Sequence, residues 1–168
     1  MRSSIAVDVR APARLVFELA RDVERWPDLL PHYRTVHVLD RHDDESVTAR
    51  MVAIRPLLRR LGYGIPVTWR ARVRGDPAGP GLSFRHLGGA TDGMAVTWGF
   101  EPNDDGCRVT IEHVFEPRFP GWATFVDSLF VRPIAGRTLA SFKAIAEAAD
   151  AATDHARSRR RATAKRSA

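Results

Sequence analysis

Few side chains in this sequence are suited to moving a proton or steering a hydrogen bond near neutral pH, and three of them fall among apolar residues. His113 alternates in step with Val109, Ile111 and Phe115, so a strand here turns the imidazole to the same side as those three. His86 keeps similar company with Leu82 and Phe84. Tyr33 closes a short apolar stretch that begins at Trp26 and includes Leu29 and Leu30. Trp69, Trp98 and Met51 add bulk to the same inward set. Neutral imidazole and phenol groups placed sparsely in an aromatic wall make a small-molecule site. There, a histidine can carry protons as a general acid or base. A phenol can donate to an oxygen on which negative charge develops. The same pattern fits a lone histidine satisfied within a core, and four tryptophans can simply fill one. Patterning alone leaves both open.

Other chemistries lack their signatures. His32, His37, His42, His86, His113 and His155 show no metal-ligand spacing. The sequence has no glycine-rich phosphate loop, no G-x-S-x-G and no H-E-x-x-H. No metal, nucleotide or other cofactor is expected. A single cysteine, Cys107, excludes an intrachain disulfide and fits a reducing cytoplasm. The first residues carry no apolar signal-peptide run. The longest apolar tract, 122–135, is broken by Asp127, Arg132 and Pro133, so no membrane span is expected.

The formal charge of +6 is local. Six basic residues and no acid lie between His155 and the end, leaving a body with 20 basic and 20 acidic residues. A neutral body without a stacking platform argues against nucleic acid as a partner. The expected division is a single domain over 1–154 and a disordered basic tail over 155–168, where no apolar residue exceeds alanine.

The elements that must hold the three polar groups follow from periodicity. Ile5, Val7 and Val9 alternate as a half-buried strand. A helix starts near Pro12 with Ala13, Val16, Phe17 and Ala20 on one face. Pro27 and Pro31 bias Trp26 and Leu30 toward extended backbone, leaving room for one short turn between them. That turn is apolar and lid-like, and too short to bury itself. Strands are expected over 33–40, 46–54, 66–74, 81–88, 93–101 and 107–116, joined by turns rich in Gly, Asp, Asn and Pro. Residues 55–64 break the alternation and read as a loop or short helix at the sheet's edge. Residues 122–152 read as a long helix kinked near Pro133 and Gly136, with Val131, Ala135, Thr138, Phe142, Ile145 and Ala149 on one stripe. A seven-stranded antiparallel sheet with one apolar face must curl around that helix.

The segment Ala11–Pro12…Val16–Phe17…Asp22–Val23–Glu24–Arg25–Trp26–Pro27…Tyr33, together with Trp69, Gly93–Met94…Trp98, His113…Phe115 and Arg137–Thr138–Leu139…Lys143, resembles the START-like helix-grip superfamily, and within it the polyketide cyclase/dehydrase (aromatase/cyclase) branch. The resemblance covers roughly residues 3–150. It implies an α+β helix-grip fold: a curved seven-stranded sheet around a long C-terminal helix, with two short helices after the first strand. It also implies a cavity that takes a hydrophobic, aromatic or poly-β-ketone molecule, presented by an acyl carrier protein, in a monomer or homodimer. His113 and Tyr33 become the catalytic pair for aldol cyclisation and dehydration, and Trp26, Trp69, Trp98, Phe84, His86, Met51, Phe115 and Arg132 the substrate-binding set. The chain departs from the branch at Val73 and Ala71, where the aromatase/cyclases carry an inward arginine and a serine. Arg132 falls where they carry an asparagine on the long helix. The alternative reading is a non-catalytic carrier of a lipid or quinone.

Overall fold

Seven strands turn their apolar residues to one side. They are β1 (Arg2–Val9), β2 (Tyr33–Arg41), β3 (Val47–Leu58), β4 (Tyr63–Gly75), β5 (Gly81–His86), β6 (Ala95–Asn103) and β7 (Gly106–Val114). The computed structural model describes residues 1–58, 63–76, 79–116 and 121–166. All strands pair antiparallel in the order β1-β7-β6-β5-β4-β3-β2. The register lays the inward residues side by side. One row runs Ser3, His113, Val96, Phe84 and Val73; another brings Ile5, Ile111, Trp98 and Leu82 together. Such lateral neighbours are the unit of sheet stabilisation. Arg70, Arg72 and Arg74 face solvent, as alternation requires.

Between β1 and β2 the chain crosses from one edge of the sheet to the other. The crossing consists of α1 (Ala13–Arg21), a 3-10 turn (Val23–Arg25) and α2 (Trp26–Leu29). Ala13, Val16 and Ala20 form the buried stripe of α1 and pack it on the sheet and the C-terminal helix. Trp26 is helical, contrary to the extended geometry expected before a proline. Pro27 sits in the first turn of α2, where its missing N–H costs nothing, and the buried indole fixes the backbone of Trp26. Leu30 is extended, as expected before Pro31.

Residues 55–58 and 63–64 are strand, where a loop or short helix was expected. β3 continues to Leu58 and β4 begins at Tyr63, with Arg55 opposite Ile65 and Pro56 opposite Gly64. β2 stops pairing at Ala53, so the two prolines, Pro56 and Pro66, sit in a two-stranded extension where a missing donor is tolerated. The part of the expected loop at 59–62 lies outside the described residues.

The C-terminal helical segment has three parts: α3 (Trp122–Val126), a π-helical turn (Asp127–Val131) and α4 (Arg132–Arg166). A kink was expected near Pro133 and Gly136; the departure from α-helical geometry is this π turn, just before them. Pro133 has no N–H to give its preceding turn, and the Arg132 N–H reaches back to the carbonyl of Asp127. Ala135, Thr138, Leu139, Phe142 and Ala146 are buried against the sheet. Lys143 Nζ donates to the Asp8 carbonyl at 2.6 Å, and the Arg10 N–H donates to Glu147 at 2.9 Å, so α4 is fastened to the end of β1. The backbone of α4 is helical through Arg166. Alanine, arginine and lysine are good helix formers, and no glycine or proline follows Gly136 to stop it.

Candidate functional site

A cavity of about 210 Å³ lies between the inward face of the sheet and the kinked start of the C-terminal helix. Rings build one end of it. Trp26 stands 4.9 Å from Tyr33, 5.7 Å from Phe84, 5.8 Å from Trp98 and 5.9 Å from Phe142, centroid to centroid. Tilted and edge-on pairs of this kind add about 0.5–1.5 kcal/mol each beyond their buried area. The polar atom of the Trp26 indole is satisfied, since Nε1–H donates to the Ala20 carbonyl at 2.9 Å. The lid-like turn is therefore a fixed wall, with Trp26 only 2% exposed.

His113 and His86 both open on this space, as do Tyr33, Trp69, Met51 and Met94. Burial is the main reason both imidazoles stay neutral, each with its pKa lowered to about 4. His113 further depresses His86, whereas Asp127 partly supports the charged form of His113. His86 Nδ1 is 2.8 Å from the Thr91 hydroxyl, and its ring stacks on Trp69 at 6.1 Å and 10°. Burial pushes the Tyr33 phenol well up, with Thr138 opposing, so Tyr33 is a donor and not a base near neutral pH.

A polar group behind the rings was not visible in the sequence. His32 is 2% exposed, and its Nε2 lies 2.9 Å from the Thr138 hydroxyl. Thr138 donates its own proton to the Ile134 carbonyl at 2.9 Å, so it accepts from His32. Burial, with Arg137 nearby, lowers His32 to about 4. His32 and Thr138 are 106 residues apart, and no local pattern announces their meeting.

Of the ten side chains named from the sequence, eight line the cavity and two do not. Phe115 is buried outside it, in the segment that follows β7. Arg132 is largely exposed and bonds Asp127 Oδ2 through Nε at 2.8 Å, across the π turn. A helix register shifted by that turn points residue 132 away from the interior. Val73 and Ala71 do face inward and are buried, so no cation enters from β4. Among the described residues the lining contains no Asp, Glu, Lys or Arg. None of the described His, Cys, Asp and Glu gather in threes that could hold a metal ion.

The loop Gly88–Thr91 also lines the cavity. Gly88 and Gly89 both take positive φ, near +72° and +73°, which only glycine adopts without strain. The loop is held from outside: Trp122 Nε1–H donates to the Ala90 carbonyl at 3.0 Å. No helix of the described residues is long and apolar enough to cross a membrane.

Comparison with known proteins agrees with this geometry. The bifunctional cyclase/dehydratase of the actinorhodin polyketide synthase of Streptomyces coelicolor is 31% identical over 144 residues, which are 82% of this chain and 42% of that protein. The crystal structure of the Zhui aromatase/cyclase of Streptomyces sp. R1128 superposes with a TM-score of 0.71 at 21% identity, covering 88% of this chain and 93% of that one. A START superfamily protein from Mycobacterium smegmatis superposes with a TM-score of 0.64 at 17% identity, over 87% and 97% of the two chains. At these identities the two structures speak for the fold. The family described as polyketide cyclase / dehydrase and lipid transport matches residues 9–143, most of the chain, and the chain belongs to that family.

Proposed function

We propose that this protein closes a ring in a poly-β-ketone by aldol addition and then removes water, with His113 as the proton carrier and Tyr33 as the donor to the accepting carbonyl. The observation that carries the reading is the cavity itself: apolar walls, no charged side chain among its described lining residues, and neutral hydrogen-bonding groups at Tyr33, His86 and His113. His113 takes a proton from a methylene between two carbonyls. The carbanion forms a C–C bond to a second carbonyl carbon, whose oxygen gains charge beside the Tyr33 hydroxyl. The imidazolium returns its proton to that oxygen. Loss of a second α-proton and of the hydroxyl, reprotonated as water, completes the ring. The walls hold the chain folded, and positioning of this kind supplies much of the rate.

The size of the space refines the substrate. A cavity of about 150 Å³ accepts benzene, so 210 Å³ suits the ring being formed and little more. The rest of the substrate then remains outside, past the Gly88–Thr91 loop, where an acyl carrier protein presents it. Incubation with a cyclisable poly-β-ketone thioester and mass analysis of the products tests the assignment. His113→Phe should lower turnover about 10²-fold or more. Unchanged turnover would reject the role given to His113.

A second reading is favoured by one observation. Buried Val73 and Ala71 stand where the aromatase/cyclases that this chain resembles carry an inward arginine and a serine, and no charged side chain is among the cavity's described lining residues. A carrier of a neutral hydrophobic ligand needs neither. It predicts tight binding, no conversion, and tolerance of Tyr33→Phe.

A further inference from the structure

Three polar atoms are enclosed without a hydrogen-bond partner in one small region: Ser3 Oγ, His113 Nδ1 and Asp127 Oδ1. Ser3 and His113 face each other across β1 and β7, and both are more than nine-tenths buried. Asp127 comes from the opposite layer. It opens the π-helical turn, and both Ser3 and His113 act on its carboxyl group. Burial would raise Asp127, but Arg132 and Ser3 hold it below the usual carboxylate range, so it is ionised. Its Oδ2 is engaged by Arg132. Its Oδ1 therefore remains to be used. The Nε2 atom of His113 is not among the enclosed atoms, so it is the ring nitrogen with access to the cavity.

We propose that Asp127, steadied by Ser3, is a positioning residue that fixes the tautomer of His113, with the proton on Nδ1 and a bare Nε2 facing the cavity. The link from Nδ1–H to Oδ1 passes through one water, which also reaches Ser3 Oγ and so satisfies all three orphaned atoms. An enclosed carboxylate accepts only, so it selects the Nδ1–H form. Asp127 then offsets the charge of the imidazolium that forms when Nε2 takes a proton. The π turn brings Asp127 to this region: Asp127 opens it, between Val126 and Val131, both cavity-lining residues. Such turns recur at functional positions. The other titratable group beside the ring is His86, which is neutral and brings no competing charge.

The kinetic part of this inference rests on the reading of His113 as the base; the tautomer does not. Nitrogen-15 NMR of the histidine-labelled full chain at pH 7 reads it directly. The expected spectrum shows His113 neutral, with a protonated Nδ1 and a bare Nε2. Asp127→Ala should shift the ring toward the Nε2–H form. Arg132→Gln breaks the same ion pair but keeps the carboxylate, and should leave the tautomer as it is. An Nε2–H tautomer in the unmodified protein overturns the proposal, even if Asp127→Ala does not fold. So does a ring unmoved by Asp127→Ala. With turnover in hand, Asp127→Ala should lower kcat about tenfold or more, a share of the 10²–10⁴ that acid–base catalysis supplies, at little change in KM. If the unmodified protein converts nothing, the cyclase reading fails while the spectrum still decides the tautomer.

Discussion

The interior between sheet and helix has two unlike halves. Toward α1 it is solid: Val9, Val16, Ala20, Phe100, Cys107, Val109 and Ala146 are buried and none lines the 210 Å³ cavity. Toward the π turn it is hollow, walled by Trp69, His86, Met94 and His113. Both halves share one sheet and one helical segment. What differs is the third layer. α1 lays a stripe of small residues, Ala13, Val16 and Ala20, into the first half and closes it. The second half has only a kinked helix and a glycine-rich loop over it, and large rings that stand on the sheet hold those apart. Trp26, Trp98 and Phe142 meet at 5.8–5.9 Å and form the partition. A fold of this kind hollows itself by withholding a layer, while keeping all seven strands in one hydrogen-bonded sheet.

Acid should separate the halves most strongly. His32, His86 and His113 lie in or beside the hollow half, and burial lowers each to about 4. In the unfolded chain they protonate already near 6.5. Their contribution to stability is therefore complete above about pH 6.5 and is lost as pH falls toward 4. Each contributes up to about 3 kcal/mol, an upper bound because neighbouring sites relax. Hydrogen exchange followed from pH 7 to 4 should show the hollow half loosening first. Simultaneous loss in both halves would mean that they form one cooperative unit.

Cutting the partition comes next. Phe142→Ala removes a ring that touches both tryptophans and should cost about 3–5 kcal/mol in denaturant unfolding. A cost under about 1 kcal/mol would show that the cavity already extends past it. The smallest and sharpest contrast uses alanine. Ala20→Leu overpacks the solid half and should cost about 1–3 kcal/mol. Ala135→Leu points into the hollow half, where there is room for the added atoms. It should cost under about 1.5 kcal/mol and displace a bound hydrophobic probe. Equal costs at the two positions would erase the distinction.

The sequence carried the strands well because period-two alternation is a local property. The inward faces of β4 to β7, including His113, His86, Trp69 and Trp98, are where alternation puts them. Misreadings arose where distant packing decided. Trp26 is helical because its buried indole outweighs a local bias before proline. Arg132 points outward because the π turn, a one-residue shift in helical phase, cannot be counted from a 3.6-residue period. The outer pairing of β3 with β4 hid behind Pro56 and Pro66, which its position beyond the end of β2 makes harmless. Thr138 and Asp127 were invisible as polar partners because what they meet, His32 and Ser3, lies more than a hundred residues away.

One pairing sets the timetable of the molecule's birth. β1 is made before the other six strands, yet its neighbour in the sheet is β7, with Arg2 opposite Val114. On the ribosome this segment must wait for more than a hundred further residues before any strand can take it in, and for Lys143 and Glu147 before its end is tied down. Closures of such long chain separation are slow, and an unclaimed apolar strand is open to other chains meanwhile. The alternation of polar Ser4, Asp8 and Arg10 along that stretch keeps one side of it wet during the delay.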